Sequence, residues 1–496
     1  MFFQILFGSQ KQKFRNDSNE REILRSVRDR GRLEKLPQHS RLGKMDQQVT
    51  VKFVTKDIYE RYRIDDSPLA IPRKLGRHGL SEVINHLLGL ESAPQPFDFS
   101  INDELIREPM SSFILSRNLS VEDILVIEYF PAYSLSEEKQ TVETDAWVGC
   151  MGINVAKSVL VAGCYDGSLQ ILPCTASSSK VATKFIAHED PIRSLALWDS
   201  TDVDQGTMLA TASKDQSVKI WKLNSAGAAP LSKGKKRDIA GAEKDQRYNF
   251  VQMASLSDHS ASVEALAYYS NVQASVRDML FSGDWSGNIF AWDVTPVSGA
   301  EKEAAQTLSH VMVNRAHNQV VSGLQISQAS GSWRMYSCSW DHSLKEWDVE
   351  RQDPIAALTS DSKVFTSLHF NESSRIIGTS HNDGKIRLWD VRSGMTENTC
   401  LKISNSPSTQ WVSSFRWHPD ETLSSIFATT DYAGVLRMWD VRATSTPLDM
   451  ANAHDGKALC CAWLQGGADE EKATPSARSL YSGGSDCQIT HQTFGA

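Results

Sequence analysis

The chain contains 496 residues, with 60 acidic and 52 basic side chains and a formal net charge of −8 at pH 7. It has no apolar run of about 18 residues, so no membrane-spanning helix is expected. Its 8 cysteines form no Cys-x-x-Cys pair, which argues against a disulfide scaffold or a zinc ribbon and fits a reducing compartment. All 13 tryptophans lie at or beyond Trp147, which indicates two halves of different construction.

The N-terminal segment differs from the rest of the chain in charge. Residues 1–45 hold 11 basic and 5 acidic side chains, a net charge of +6, and the remaining residues carry a net charge of −14. We expect 1–46 to be a disordered N-terminal extension. No basic region precedes its apolar residues 2–7, as a secretory signal requires, and its acidic residues are atypical of a mitochondrial presequence. The acidic remainder is not expected to bind nucleic acid through bulk electrostatics.

The next part of the chain mixes strand and helix patterns. Apolar residues alternate over 49–53 as one face of a strand. They recur with helical spacing at Leu80, Val83, Ile84, Leu87 and Leu88. Further stretches with strand or short-helix character are 62–71, 97–101, 104–107, 110–115 and 124–130. This order of elements over 47–130 predicts an α+β ubiquitin-like β-grasp domain, in which one helix covers one sheet.

Residues 145–496 contain a repeat of an apolar strand, a tight turn with an Asp, and a strand that ends in Trp. The five clear repeats end at Trp221, Trp292, Trp347, Trp389 and Trp439. Two degenerate repeats end at Leu172 and Gln492. Seven such units predict an all-β, seven-bladed WD-repeat propeller. The last unit lacks a fourth strand, which we expect the linker 131–144 to supply.

Each repeat is expected to satisfy its own buried polar groups. An Asp in the turn would accept a hydrogen bond from a His, which would connect through a Ser to the indole N–H. In the second unit the set is His188, Ser213, Asp215 and Trp221, and in the fourth it is His317, Ser339, Asp341 and Trp347. Asp284 and Asp431 lie eight residues before their Trp instead of six, which predicts longer turns and weaker networks in the third and sixth units.

An insertion at 224–252 is rich in Gly, Ala, Ser and Lys, and it predicts a disordered loop. It contains Lys233, Lys235, Lys236 and Arg237, a candidate cluster for nuclear import or phosphate contact. The sequence has no G-x-x-x-x-G-K-[ST], G-x-S-x-G or H-E-x-x-H motif. The Asp and His residues occupy repeat-equivalent positions, so they favour a structural role. We therefore expect no enzyme activity and no cofactor.

Two motifs in the first domain carry a family resemblance. The segments 79–89 (GLSEVINHLLG) and 96–99 (PFDF) resemble the ubiquitin-like domain that precedes WD propellers in Notchless and in the WD-repeat partner of pescadillo and Bop. Seven repeats rather than eight make the pescadillo/Bop (PeBoW) family the closer match. The resemblance extends over 47–496. It implies a scaffold in large (60S) ribosomal subunit biogenesis and pre-rRNA processing, located in the nucleolus and nucleoplasm.

The same resemblance implies how the two domains act. In that family the ubiquitin-like domain presents a glutamate to a divalent cation, such as Mg²⁺, in the adhesion site of the AAA ATPase midasin. Glu122 occupies the equivalent position, and Asp123 is a weaker candidate beside it. The resemblance implies that the propeller binds Bop, and through it pescadillo and the pre-60S particle. Contact with RNA would be indirect, and this chain alone would bind no metal.

An alternative function is a substrate receptor of a cullin-type ubiquitin ligase. Trp389-Asp390-Val391-Arg392 and the matching segment that starts at Trp439 fit the W-D-x-R pattern by which some propellers dock on a cullin adaptor. The pattern is weak, because Trp-Asp is the repeat signature itself. A generic signalling scaffold is a third interpretation.

Overall fold

The structure is a computed structural model that describes residues 48–90, 94–136, 139–154, 158–174, 181, 183–199, 206–225, 248–270, 278–295, 310–313, 315–329, 332–351, 353–359, 363–393, 400–404, 410–444, 446–464 and 478–495. The described chain forms two compact units. The smaller unit ends at Phe130, and the larger unit extends from Pro131.

The smaller unit is an α+β unit built on one five-stranded sheet, in the order β2-β1-β5-β3-β4. Its elements are β1 (Gln48–Val54), a 3₁₀-helix (Asp57–Tyr62), β2 (Leu69–Pro72), α1 (Arg77–Leu88), β3 (Phe97–Ile101), β4 (Glu104–Leu105), α2 (Met110–Ser116) and β5 (Leu125–Pro131). The central strands β1 and β5 are parallel, whereas β1 and β2 are antiparallel. The apolar faces of the sheet and the helices share one core.

The local sequence explains most of these elements and two departures from the predicted ones. Gly89 ends α1 in the left-handed region, with φ of 72°, where a side chain would be strained. The apolar face of α1 is narrower than predicted, because Leu87 is 46% exposed. Asn85 is buried instead and bonds the backbone of Gln95 through both ends of its amide. The extended stretch predicted at 62–71 is shortened, because β2 begins only at Leu69 and residues 63–68 form neither helix nor strand.

The larger unit is mostly β, and its described part contains seven sheets that follow one another along the chain. Two short strands come first, β6 (Ser134–Leu135) and β7 (Gln140–Glu143). The first sheet contains β8 (Val148–Asn154), β9 (Val159–Cys164), β10 (Ser168–Pro173) and β11 (Thr183–Ile186). The second contains β12 (Ile192–Asp199), β13 (Thr207–Ser213), β14 (Val218–Ser225) and β15 (Tyr248–Leu256). The third contains β16 (Val263–Ser270), β17 (Asp278–Asp284), β18 (Ile289–Asp293) and β19 (His310–Val313).

The next three sheets have the same meander of four antiparallel strands. The fourth sheet contains β20 (Val321–Ala329), β21 (Ser332–Ser339), β22 (Ser343–Asp348) and β23 (Pro354–Thr359). The fifth contains β24 (Phe365–Asn371), β25 (Ile376–His381), β26 (Lys385–Asp390) and β27 (Leu401–Ser404). The sixth contains β28 (Val412–Trp417), β29 (Ile426–Asp431), β30 (Val435–Asp440) and β31 (Asp449–Asn452). Short 3₁₀-helices follow β26 at Val391–Ser393 and precede β29 at Glu421–Leu423.

The last sheet combines both ends of the larger unit. It contains β32 (Ala458–Leu464), β33 (Arg478–Gly484) and β34 (Gln488–Gly495), and β34 pairs antiparallel with both β6 and β7. Tyr133 stacks on Phe494, with ring centroids 5.1 Å apart. The first strands of successive sheets pack against one another from β8 to β32, and β32 packs against β8. Apolar side chains from neighbouring sheets therefore share continuous cores.

We predict that the β6 contribution to the last sheet stabilises the larger unit. Leu135 is buried, so Leu135→Ala is expected to lower the free energy of unfolding by about 2–4 kcal/mol. The matched control is Leu401→Ala, which shortens a leucine that is 40% exposed and should change this free energy by about 0.5 kcal/mol or less. Urea denaturation followed by tryptophan fluorescence reports this unit, because every tryptophan lies in it. Equal costs for the two variants would contradict the prediction.

Candidate partner-docking loop and polar networks of the sheets

The loop between α2 and β5 is held at both ends by the smaller unit. At its start, Asn118 adopts the left-handed conformation with φ of 51°, and the Leu119 N–H donates to the Ile114 carbonyl at 3.0 Å. Leu119 and Val121 pack against the core. At its end, Leu125 pairs with β1 in the parallel ladder. The loop therefore has a defined backbone although it contains no regular secondary structure.

The tip of this loop presents carboxylates to solvent. Glu122 and Asp123 are both exposed, and neither side chain has a hydrogen-bond or ion-pair partner within the part of the chain that the structure describes. The following Ile124 and Val126 are each 52% exposed, so apolar surface adjoins the acids. An unpaired carboxylate on a fixed loop can offer its oxygens to a hard divalent cation. Over the described ranges, no group of three or more His, Cys, Asp or Glu side chains is placed to hold a metal ion.

The second sheet contains a buried polar network that differs from the predicted one in one residue. His188 Nδ1 lies 2.8 Å from Asp215, and its Nε2 lies 2.8 Å from Thr211 Oγ1. The Trp221 indole N–H donates to the same Thr211 oxygen at 2.9 Å. Ser213 was predicted to connect the His to the Trp, but Thr211 has this role instead. It donates to the Asp190 carbonyl and accepts the Asp215 backbone N–H.

The fourth sheet repeats this arrangement and the same correction. His317 contacts Asp341 through Nδ1 and Ser337 through Nε2, and the Trp347 indole N–H donates to Ser337 at 2.8 Å. Ser339 instead donates to the Gln319 carbonyl. The two ring nitrogens point in opposite directions, so a His whose Nδ1 faces the turn directs Nε2 deeper into the sheet. The hydroxyl that meets it therefore lies two residues earlier, because strand side chains alternate between faces.

The third sheet contradicts the prediction of a longer turn and a weaker network. Asp284 lies 3.0 Å from His259, which contacts Ser282, and Ser282 accepts the Trp292 indole N–H. The turn has the same length as the turn of the second sheet. The Asp284 N–H donates to the Asn288 carbonyl, four residues later, and in the second sheet the Ser213 N–H donates to the Ser217 carbonyl, also four residues later. Asp284 occupies the position that corresponds to Ser213 in the second sheet. From there it contacts the Nδ1 atom of its His, as Asp215 does from two residues further along the chain.

The sixth sheet replaces the His with an arginine. Asp431 is fully buried and pairs with Arg437, and it also accepts the backbone N–H groups of Ala433 and Val435. The turn is again not lengthened, so this prediction is wrong for both sheets. A buried carboxylate that is paired and accepts several hydrogen bonds avoids the cost of desolvated charge.

Sequence reasoning missed a regular signal for these networks. A Thr or Ser lies ten residues before the last residue of six of the seven units, at Thr211, Ser282, Ser337, Thr379, Thr429 and Ser482. Five of these hydroxyls accept the indole N–H of the unit's Trp. Ser482 instead contacts His454, which pairs with Asp486. The spacing of ten would have identified these residues.

The networks perturb the ionisation of their members. Burial opposes ionisation of Asp215 and Asp341, but hydrogen bonds from the paired His and a nearby Ser outweigh it and hold the pKa of each carboxyl far below its usual value. Burial lowers the pKa of His317, although Asp341 acts in the opposite direction. In the fifth sheet, burial and the nearby Arg387 lower the pKa of His381 to about 3.

We predict that the His381 environment makes the fold sensitive to acid. An unfolded His binds a proton near pH 6.5, whereas burial and Arg387 lower the pKa of native His381 well below that value. The contribution of His381 to the free energy of unfolding is therefore fully present above pH 6.5. It decreases by about 1.4 kcal/mol for each unit by which the pH falls below that value. His381→Gln should reduce the slope between pH 6.5 and 5 by that amount in urea denaturation at several pH values. Parallel stability curves for the two proteins would refute this.

We also predict that Thr211, and not Ser213, is coupled energetically to Trp221. A double-mutant cycle of Thr211→Val with Trp221→Phe should give a coupling energy of about 1 kcal/mol, because the two side chains share a buried hydrogen bond. The matched cycle of Ser213→Ala with Trp221→Phe should couple by about 0.5 kcal/mol or less. Chemical denaturation measures both cycles, and equal coupling would return Ser213 to the bridging role.

The W-D-x-R segments do not present free arginines. The Arg392 guanidinium bonds Asp390 of its own segment through two nitrogens, and Arg442 bonds Asp440 in the same way. The basic residues Lys233, Lys235, Lys236 and Arg237 lie outside the described residues, as do 1–46 and most of the predicted insertion at 224–252. All 8 cysteines are free thiols. No helix over the described ranges is long and apolar enough to cross a membrane.

Comparison with known proteins identifies the family. The NLE (NUC135) domain model matches 49–114, and the WD domain, G-beta repeat model matches 179–222, 308–348, 352–390 and 398–440. The chain is 30% identical over 469 residues to the ribosome biogenesis protein WDR12 homolog of Chlamydomonas reinhardtii, which covers 89% of this chain and 97% of the relative. The chain belongs to the family of WDR12 homologues. The membership predicted from the 79–89 motif is thus confirmed.

Other members of the family are similar over the same length. The WDR12 homologues of Oryza sativa subsp. japonica and Arabidopsis thaliana are 29% and 28% identical, over 89% and 88% of this chain and 95% of each relative.

The WD matches are displaced from the sheets by one strand. The match 352–390, for example, contains the last strand of the fourth sheet and the first three strands of the fifth. Each repeat thus joins two neighbouring sheets.

Proposed function

We propose that the seven sheets are the blades of a closed propeller over 145–496 and that 47–130 is a ubiquitin-like β-grasp domain. The packing of β32 against β8 supports closure. The one-strand displacement of the repeats supports it as well, because the last sheet then needs an outer strand from outside the repeats. The linker 131–144 contains β6 and β7, which pair with β34.

The family membership supports a role in ribosome biogenesis, and we infer a non-enzymatic scaffold in large (60S) subunit assembly and pre-rRNA processing. The observation that carries this conclusion is the similarity to ribosome biogenesis WDR12 homologues over nearly the whole chain. WD40 repeats are binding platforms, which favours a scaffold over a catalyst. We infer from this role that the protein acts in the nucleolus and nucleoplasm.

Within this role, Glu122 is the residue that we infer to engage midasin. Its side chain is exposed and unpaired within the described ranges, and the loop that carries it is anchored by Leu119 and Val121. The carboxylate would complete the coordination of a divalent cation, such as Mg²⁺, that the midasin adhesion site holds. Asp123 is a weaker candidate, because its side chain is one methylene shorter.

The larger unit would hold the remaining partners. Its sheets would bind the Bop-type protein, and through it pescadillo and the pre-60S particle, while midasin acts on the smaller unit to release the assembly factors. The net charge of −14 beyond residue 45 favours protein partners over direct RNA contact. The ligase-receptor alternative is weakened by Arg392 and Arg442, whose guanidinium groups bond their own motif.

We predict that Glu122→Gln weakens binding to the isolated midasin adhesion domain by about tenfold or more in the presence of Mg²⁺, because an amide is a poorer ligand for a hard cation. Calorimetry or biolayer interferometry with the full chain measures this affinity. Glu122→Asp should also bind weakly, because the shortened side chain withdraws the carboxylate from the cation.

The control is Asp123→Asn, which makes the same chemical change at the next exposed residue and should retain most of the affinity. Chelation of Mg²⁺ should abolish binding of the unmodified chain. Glu122→Gln should still co-purify with the Bop-type protein, because that partner binds the larger unit, and retained midasin binding by Asp123→Asn shows that the loop tolerates an amide. Unchanged midasin affinity in Glu122→Gln would disprove the assignment.

A further inference from the structure

The first strands of the seven sheets surround a cavity of about 290 Å³. Each of these strands begins with a bulge, so their residues can be compared by position. The fifth residue is small in four strands, namely Gly152, Ala196, Ala267 and Ala462. In β20, β24 and β28, which are consecutive, it is Gln325, His369 and Arg416, and all three line the cavity. Polar side chains from three consecutive strands thus line the same cavity.

Hydrogen bonds to the neighbouring strand determine which atoms of two of these side chains remain available. Gln325 Oε1 accepts the Phe370 N–H at 2.6 Å. His369 Nδ1 accepts the Trp417 N–H at 3.3 Å, so the hydrogen of the neutral ring is on Nε2. Burial, together with Arg416, lowers the pKa of His369 to about 3. Both acceptor atoms are therefore occupied, and the atoms left for a ligand, Gln325 Nε2 and His369 Nε2, are donors.

Arg416 adds a positive charge to the same wall. Its guanidinium donates to the Phe415 carbonyl at 2.9 Å, and no carboxylate within the described ranges forms an ion pair with it. Glu264 also lines the cavity, but its carboxylate already accepts hydrogen bonds from Arg193, Trp285 and Ser262. The charge of Arg416 is thus not compensated by this acid.

We propose that this cavity binds a phosphoryl oxyanion through Gln325, His369 and Arg416. Three residues that carry donor groups line one space from successive strands, which suits a tetrahedral anion with several acceptor oxygens. The guanidinium fork of an arginine is well suited to such an anion. The ligand is either inorganic phosphate or a phosphorylated small molecule, because both present the same group.

The test is isothermal titration calorimetry of the full chain with two probes, inorganic phosphate and inositol hexakisphosphate, at constant ionic strength with chloride as the reference anion. Saturable binding at one site per chain is expected for at least one probe. Binding of phosphate identifies a single oxyanion as sufficient, and binding of the inositol compound alone identifies a larger phosphorylated ligand. Absence of saturable binding for both probes would overturn the proposal.

Two variants separate loss of the site from loss of the fold. Gln325→Glu keeps the oxygen that accepts the Phe370 N–H but replaces the donor amide with a negative charge, and Arg416→Met removes the positive charge. Each should weaken binding by about tenfold or more. The control Arg392→Met removes an exposed arginine of the same unit and should bind as the unmodified chain does. Unfolding temperatures without the probes verify folding. Normal affinity in folded Gln325→Glu and Arg416→Met would refute the site.

Discussion

The larger unit depends on pairing the polar groups that its sheets bury. A buried donor or acceptor without a partner costs about 1–3 kcal/mol, and a buried charge costs more. One hydroxyl, ten residues before the Trp, meets part of this requirement because it accepts the indole N–H. The group on the turn varies, since His259 with Asp284 and Arg437 with Asp431 fulfil the same requirement. The constraint is the pairing of charge and hydrogen bonds, so different residue types satisfy it.

The same economy of pairing applies between sheets. The outer strand of each sheet belongs to the repeat that follows, so no repeat remains to supply the outer strand of the last sheet. A sheet edge without a partner strand exposes a row of N–H and C=O groups. In this chain β34 finds β6 and β7 instead. The strands that complete the last sheet therefore precede the first sheet in sequence, which couples the two ends of the larger unit.

The candidate functional residues contrast with these networks. The networks are largely buried and most of their polar atoms are paired, so they leave little chemistry for a partner. Glu122 is exposed and unpaired within the described ranges, and Gln325 and Arg416 line a cavity. The two binding sites that we propose therefore lie where polar groups remain available, on a loop of the smaller unit and along the first strands of the sheets of the larger one.

The sequence by itself determined the two-part organisation, the repeats and the family, because these follow from local periodicity and motifs, and the family resemblance then implied the candidate Glu122. It also placed His188, Asp215 and Trp221 in one unit. It did not identify Thr211 as the bridging residue, nor the convergence of donors from three strands on the cavity. Those depend on the direction of ring nitrogens and on the alignment of strands that are 40 to 50 residues apart in sequence. Only tertiary packing decides such distances, because no local pattern encodes them.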